Sequence, residues 1–368
     1  MAKKTLLTLG GTYHKVKKGY LTLDHVYRKV KKAYLTIGST YRPCFGGGEL
    51  AYYGTATALS EAKSRMGATS VGNYALFAGG NGDSGATAAV DAYDLSLTRS
   101  SPEALSMAVA DPAATTIGDY ALFGGGAYGT NLSSDTNRVY AYDTALTKSE
   151  PSVLSQSRKT LAATSVGNYA LFGGGYNSLQ SNVNTVNAYD ASLTRSTPTA
   201  LSAKRAQLAA TSIGGYALFG GGGSRVDAYD ESLTRSTPTA LSTSRYDLAA
   251  TSVGSYALFG GGGSSGVVDA YDTSLTHSTP TALTMNTMVL GATSIGGYAL
   301  FGGGVQSNSV YNDAVNAYDE SLTQSVPPPL SSKRGWIAAT SVGNYALFGG
   351  GVEITTRNAV PTVDVYTA

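Results

Sequence analysis

The side chains that do acid–base, nucleophilic or metal chemistry are few and scattered. His14, His25 and His277 are the only histidines, and Cys44 is the only cysteine. One thiol closes no internal disulfide, and no His/Cys cluster has zinc-ligand spacing. The Gly runs follow apolar segments and open no helix, so they make neither a nucleophile elbow nor a phosphate loop. Carboxylates do recur at one position: Asp94, Asp143, Asp190, Asp230, Asp272 and Asp319 each close a Val-x-Ala-Tyr-Asp string. Their identical setting before a turn argues for structure, because an Asp side chain can bond the backbone two residues on. His277 occupies the slot of Arg99, Arg195 and Arg235 and reads as a surface substitution. The expectation is a protein that is not an enzyme and needs no cofactor or metal.

Residues suited to binding are more evident. Six positions after the Leu of each Ala-Leu-Ser-type string stand Arg65, Asp111, Thr160, Gln207, Asp247, Val289 and Trp336. Tyr128, Tyr176, Tyr246 and Tyr311 lie in other variable segments among Ser, Asn and Gly, a composition like that of an antibody paratope. Aromatic rings there could stack on sugars while Asn and Asp bond hydroxyls. The candidate ligand-binding residues are Arg65, Asp111, Tyr128, Tyr176, Gln207, Tyr246, Asp247, Tyr311 and Trp336.

The elements that must position them are repeats. Tyr-Ala-Leu-Phe recurs with its Tyr at 74, 120, 169, 216, 256, 298 and 345. Ala-Ala-Thr-Ser-Val, a Gly-Asn or Gly-Gly turn, Tyr-Ala-Leu-Phe, Val-Asp-Ala-Tyr and a Thr-Arg-Ser-Thr-Pro-Thr-Ala-Leu stretch read as four short strands per unit. The Pro at 102, 151, 198, 238, 280 and 327 belongs on an edge, where a missing N–H is tolerated. Four strands in a period of 40–50 residues predict an all-β, seven-bladed β-propeller of antiparallel blades over 49–368. The last unit ends at Tyr366 without a fourth strand, and 50–60 reads as an orphan fourth strand. The ring is therefore expected to close by pairing the two.

Gly-Gly after an apolar strand, a later Tyr-Asp and then an Arg leading into the next unit resemble the kelch repeat over about 320 residues. The Trp that normally follows the kelch Tyr is absent, with Arg195 and Ser196 in that stretch, so blade packing is expected to run through Leu193 and its equivalents. The rival WD40 propeller is disfavoured by the absence of any Trp-Asp pair. Radical copper oxidases share the kelch propeller but need His ligands that 49–368 lacks, and there is no Ser-x-Asp-x-Gly-x-x-Trp box of sialidase type.

The repeats differ in two loop classes. The second-to-third-strand loops (81–89, 127–138, 176–185, 223–225, 263–267, 305–314 and 352–362) vary in length, and the residues leading into each blade vary in kind. In an up-and-down blade both emerge on one face, so one face is individual and the other uniform.

Residues 1–48 are a separate head, with ten Lys/Arg against one acid, Asp24, while the body has 16 basic and 23 acidic residues. A period of 14 (Leu7-Thr-Leu9, Leu21-Thr-Leu23, Leu35-Thr-Ile37) with turn pairs Gly10-Gly11, Asp24-His25 and Gly38-Ser39 predicts a small β-hairpin repeat. Val16-Lys17-Lys18 and Val30-Lys31-Lys32 are placed on its returning strands. So thin a sheet needs a partner, and self-association or docking to a virion is expected. Its Lys residues alternate with apolar ones as a solvated strand face does, so nucleic acid is not expected.

The head resembles short Lys-Val-Lys-Lys repeats of tail or structural proteins in phages and prophages of Gram-positive bacteria. That resemblance implies a tail-associated receptor-binding protein whose partner is a host surface glycan or protein. The alternatives are an intracellular protein–protein interaction module and a kelch-type sugar-processing enzyme. No apolar run is long enough for a signal peptide or a membrane span, so cytoplasmic synthesis and no membrane insertion are expected, with the virion as a later destination.

Overall fold

The computed structural model describes residues 49–368 apart from 180, 264 and 307–309, together with the backbone of four short strands in the head. Those four strands form two hairpins. Tyr20–Leu23 pairs with Val26–Lys29 and Ala33–Ile37 with Thr40–Phe45, both antiparallel. They fall where the second and third copies of the 14-residue period place them. The first copy, the turn pairs and the Val-Lys-Lys segments at 16–18 and 30–32 lie outside the described residues.

The body is all-β, with seven four-stranded antiparallel blades arranged as a propeller. Blade 4 shows the pattern: Leu208–Ile213, Tyr216–Gly221, Val226–Asp230 and Arg235–Ser236 pair in chain order. First strands of successive blades lie side by side, and that of the seventh, Ala338–Val342, adjoins that of the first, Gly67–Val71. The seventh blade takes its outer strand from the other end of the propeller, where Ala51–Thr55 pairs with Val363–Thr367. A register shift between Val365 and Tyr366 bends this seam, which keeps the outer edge from offering a flat template to another strand.

The outer strands are shorter than expected. In the first six blades only two residues, such as Arg99–Ser100, join the ladder, and the Pro-containing stretch runs on without pairing. Proline cannot donate, and in this chain it marks where the ladder stops.

Second strands are apolar on both faces because both are covered. Ala217, Leu218 and Phe219 have no exposed surface, and the same holds in the other blades to within 1%. In six blades the Gly that follows the second-strand Phe leaves room for the next blade's Phe, while the first blade carries Ala78 there. A Cβ at Gly349 would sit 2.8 Å from Phe77, so the ring closes with the contact used between its other blades. Each third-strand Tyr stacks edge-on against that Phe in its own blade, as Phe219 does with Tyr229. Its hydroxyl donates to a carbonyl of the preceding blade's outer segment, 2.8 Å from Tyr229 to Thr199. Leu193 and its equivalents Leu97, Leu146, Leu233, Leu275 and Leu322 pack against the same inter-blade clusters, as the missing Trp implied.

Candidate functional site

The six repeated aspartates are turn formers. Asp230 Oδ1 accepts from the Ser232 and Thr234 amides, both at 2.9 Å, and each of the other five makes the same pair of bonds. His277 bonds Asp269 at 2.7 Å and lies against Tyr271, in the place where Arg99 reaches Asp91. Among the described residues no three His, Cys, Asp or Glu side chains group as metal ligands.

The two variable loop classes do share a face, because they pair directly. Ser64 bridges Asn81, Lys159 bridges Tyr176, and Arg334–Gly335 pairs with Val352–Glu353. Loops of nine residues or more mostly fold back as small hairpins, such as Ala127–Tyr128 with Ser134–Asp135 and Tyr176–Asn177 with Ser181–Asn182.

The residues six after each Leu form a ring. Arg65 donates its amide to the Trp336 carbonyl at 3.2 Å, Asp111 to Arg65 at 2.7 Å, and Gln207 to Thr160 at 3.0 Å. Asp247 donates to Gln207 at 3.0 Å, Val289 to Asp247 at 2.9 Å and Trp336 to Val289 at 2.8 Å. Each stands one or two residues before a first strand and so at the axial mouth of the variable face. These six bonds string one residue per blade around the mouth, and no such bond joins Thr160 to Asp111 among the described residues.

All seven residues adopt left-handed backbone, with φ between 51° and 56°. For Thr160, Val289 and Trp336, branched or bulky at Cβ, this costs about 1 kcal/mol or more each. The chain has 46 Gly and uses them at most of its other left-handed positions. The leucines of the Leu193 series are the other recurrent exception, and their side chains recover the cost by packing between blades. The ring positions carry no one repeated side chain, with six residue types over seven blades.

These side chains form one surface. Arg65 bonds Asp111 at 3.2 Å, its guanidinium lies 5.2 Å from the centre of the Trp336 ring, and Gln207 donates to Asp247 at 2.9 Å. Tyr311, from the sixth blade's loop, tilts against Trp336 at 6.1 Å. Burial raises the Asp111 carboxyl above its ordinary range, against the opposing charges of Arg65 and Lys159. Burial also raises Asp247, helped by the charge of Asp111 and opposed by Gln207 and Arg65.

Of the nine sequence-derived candidates, Arg65, Asp111, Gln207, Asp247 and Trp336 belong to the ring and Tyr311 touches it. Tyr246 is its chain neighbour and is 52% exposed. Tyr128 and Tyr176 sit half-buried in loop hairpins of the same face. Trp336, read as exposed, is half-buried between Arg65 and Tyr311. Thr160 and Val289 complete the annulus and share the spacing that marked the others, but their plain chemistry kept them off the candidate set.

Below the mouth lies a set of buried charges that sequence reasoning did not identify. Lys63 pairs with Asp91 at 2.9 Å and Arg205 with Asp227 at 2.5 Å, while Arg245 pairs with Asp269 and Arg334 with Asp364, all essentially without exposed surface. Where a blade lacks the cation, it lacks the carboxylate too: Val109 goes with Tyr140, and Thr287 with Asn316. The third blade departs from this matching. Arg158 is fully buried against the neutral Asn187, at 3.0 Å, and burial lowers its pKa to about 10. The signal was present in the Asp/Asn alternation of the Val-x-Ala-Tyr-Asp string.

The opposite face is uniform for a packing reason. Its turns carry left-handed Gly, and a Cβ at Gly214 would meet Thr273 of the next blade at 2.6 Å. A shallow depression of about 360 Å³ lined by Val166, Gly214, Tyr216 and Glu231 lies on that face, between two turns of this kind.

No protein-family model and no curated protein matches the chain. Its fold is similar to that of a solved structure titled "Structure of YjhT", with 13% identity and a TM-score of 0.56 over 71% of this chain and 95% of that one. At that identity the likeness concerns the fold alone.

Proposed function

We propose that this propeller is a non-catalytic binding protein that presents its variable face, centred on the ring at the axial mouth, to a host surface glycan or protein. The observation that carries this reading is the left-handed ring. Seven side chains of six kinds, none of them Gly, are kept at a cost in backbone strain around a largely hydrogen-bonded mouth where Gly would be relaxed, and strain of this kind concentrates at functional positions. The rigid annulus fixes the side chains before a ligand arrives, which lowers the ordering cost of binding. Trp336, Tyr311 and Tyr246 supply stacking surface, and Asp247, Gln207 and Asp111 supply hydrogen bonds. The resemblance of the head to phage and prophage tail repeats supports a tail-associated receptor-binding role, in which residues 1–48 dock to a virion or self-associate. Several mouths on one particle would raise a weak single-site affinity by roughly 10²–10⁴.

A glycan array and whole-cell binding screen with the full chain tests this. Trp336→Ala and Tyr246→Ala should each weaken binding at least tenfold without loss of fold, since a truncated aromatic anchor typically costs about 2 kcal/mol. Asn168→Ala, on the uniform face, should bind as the parent does. A Trp336→Ala protein that is folded and binds normally would overturn the assignment.

A further inference from the structure

Asp111 and Asp247, the two carboxylates of the ring, are unequally served. Asp111 bonds the Arg65 guanidinium and also feels Lys159, whose ammonium is anchored 2.6 Å from the Leu132 carbonyl. Asp247 has the neutral Gln207 amide as its hydrogen-bond partner and makes no ion pair among the described residues. Burial nevertheless raises its pKa, so its anion is under-stabilised where it stands. Two hydrogen-bonded steps along the annulus, past the small apolar side chain of Val289, stands Trp336 with Tyr311 against it. That indole already attracts a cation, the Arg65 guanidinium.

We infer that the mouth seats an organic cation, an alkylammonium or guanidinium group of the ligand, over Val289 between the Asp247 carboxylate and the Trp336–Tyr311 pair. The inference rests on the binding role proposed above and adds the chemical class of the group recognised. The carboxylate supplies charge, and the two aromatic rings supply faces whose quadrupoles favour a cation over a neutral group of the same shape. Val289 between them keeps the floor free of competing hydrogen bonds. Arg65 holds Trp336 from the side of Asp111, leaving the approach from Asp247 to the ligand.

Trp336 is the chain's only Trp, so its fluorescence reports directly on the mouth. The full chain is titrated with tetramethylammonium chloride, with methylguanidinium chloride and with tert-butanol, an uncharged molecule of similar bulk, at ionic strength fixed with sodium chloride. At least one cation should change the emission saturably and bind at least tenfold more tightly than tert-butanol. The better cation identifies which group the ligand carries. Asp247→Asn, which preserves shape and the Gln207 contact, should weaken that cation at least fivefold with a melting temperature no lower than the parent's. Absence of a saturable response to either cation, an equal response to tert-butanol, or an unaltered affinity in Asp247→Asn would each overturn the inference. If host cells bind the parent but not Trp336→Ala while neither cation registers, the mouth serves an uncharged ligand and only this inference falls.

Discussion

Replacing Val289 with Gly separates strain kept for function from strain that stability requires. Val289 is β-branched and sits at φ 51°, so the change relieves about 1–2 kcal/mol of left-handed strain. Against this, Gly returns about 0.5–1 kcal/mol of backbone freedom to the unfolded chain, and a half-buried Val gives up part of the ~1.5 kcal/mol that full burial would bring. The annulus keeps both hydrogen bonds of this residue, because they come from its backbone. The sum lies within about 0.5 kcal/mol of zero. Leu233→Gly, at φ 63°, starts from the same strain but removes a side chain packed against Leu171, Phe219 and their neighbours, so it should lose about 1–2 kcal/mol. Denaturant midpoints of the two variants and the parent, taken with one slope, measure the contrast. A Val289→Gly protein as damaged as Leu233→Gly would refute the argument, because the ring side chains would then be structural.

Deleting 50–59 removes the strand that completes the seventh blade and exposes the edge of Val363–Thr367, so the product should melt well below the parent and aggregate by light scattering. Asn187→Asp should give Arg158 the carboxylate that Arg205 has, with the Ser155 and Thr197 hydroxyls turning to donate, for a gain of about 1 kcal/mol at neutral pH. That gain should fade in the acid range as the new carboxylate is protonated, and denaturant midpoints at pH 7 and near pH 3 would show both effects. Alkaline unfolding should be cooperative. Burial, then the bond to and charge of Asp364, raise Tyr52 to about 12, and burial raises the third-strand tyrosines further still. A raised phenol pKa means the fold prefers the neutral form, so this stability is complete below about pH 10 and lost as pH climbs beyond it. The later rise in phenolate absorbance, from the buried third-strand tyrosines, and the loss of circular dichroism should coincide. Separate transitions would contradict the linkage.

The architecture was legible because it is written seven times. Tyr-Ala-Leu-Phe-Gly names a strand buried on both faces, and an unpaired 50–60 beside a three-stranded last unit has one place to go. The repeated Asp was legible for a local reason, since its partners lie two and four residues away. The left-handed ring was not. Backbone of that kind is usually announced by Gly, Asn or Asp, and here five of the seven residues are Arg, Thr, Gln, Val and Trp, so only their spacing marked them. The buried charge pairs were missed because their members lie 22 to 30 residues apart, on a blade's lead-in and its third strand. Nor does a Thr-Arg-Ser-Thr-Pro run show in advance where an outer ladder stops, because that depends on how much of it the neighbouring strand can reach.

Amide hydrogen exchange of the propeller, free and bound to the surface material of a cell that it recognises, tests the central claim most directly. The account predicts added protection at 64–66, 110–112, 246–248, 288–290 and 335–337 and in the loops above them, with the turns at 72–73, 167–168 and 343–344 unchanged. Protection confined to those turns, with the ring unaffected, would contradict it.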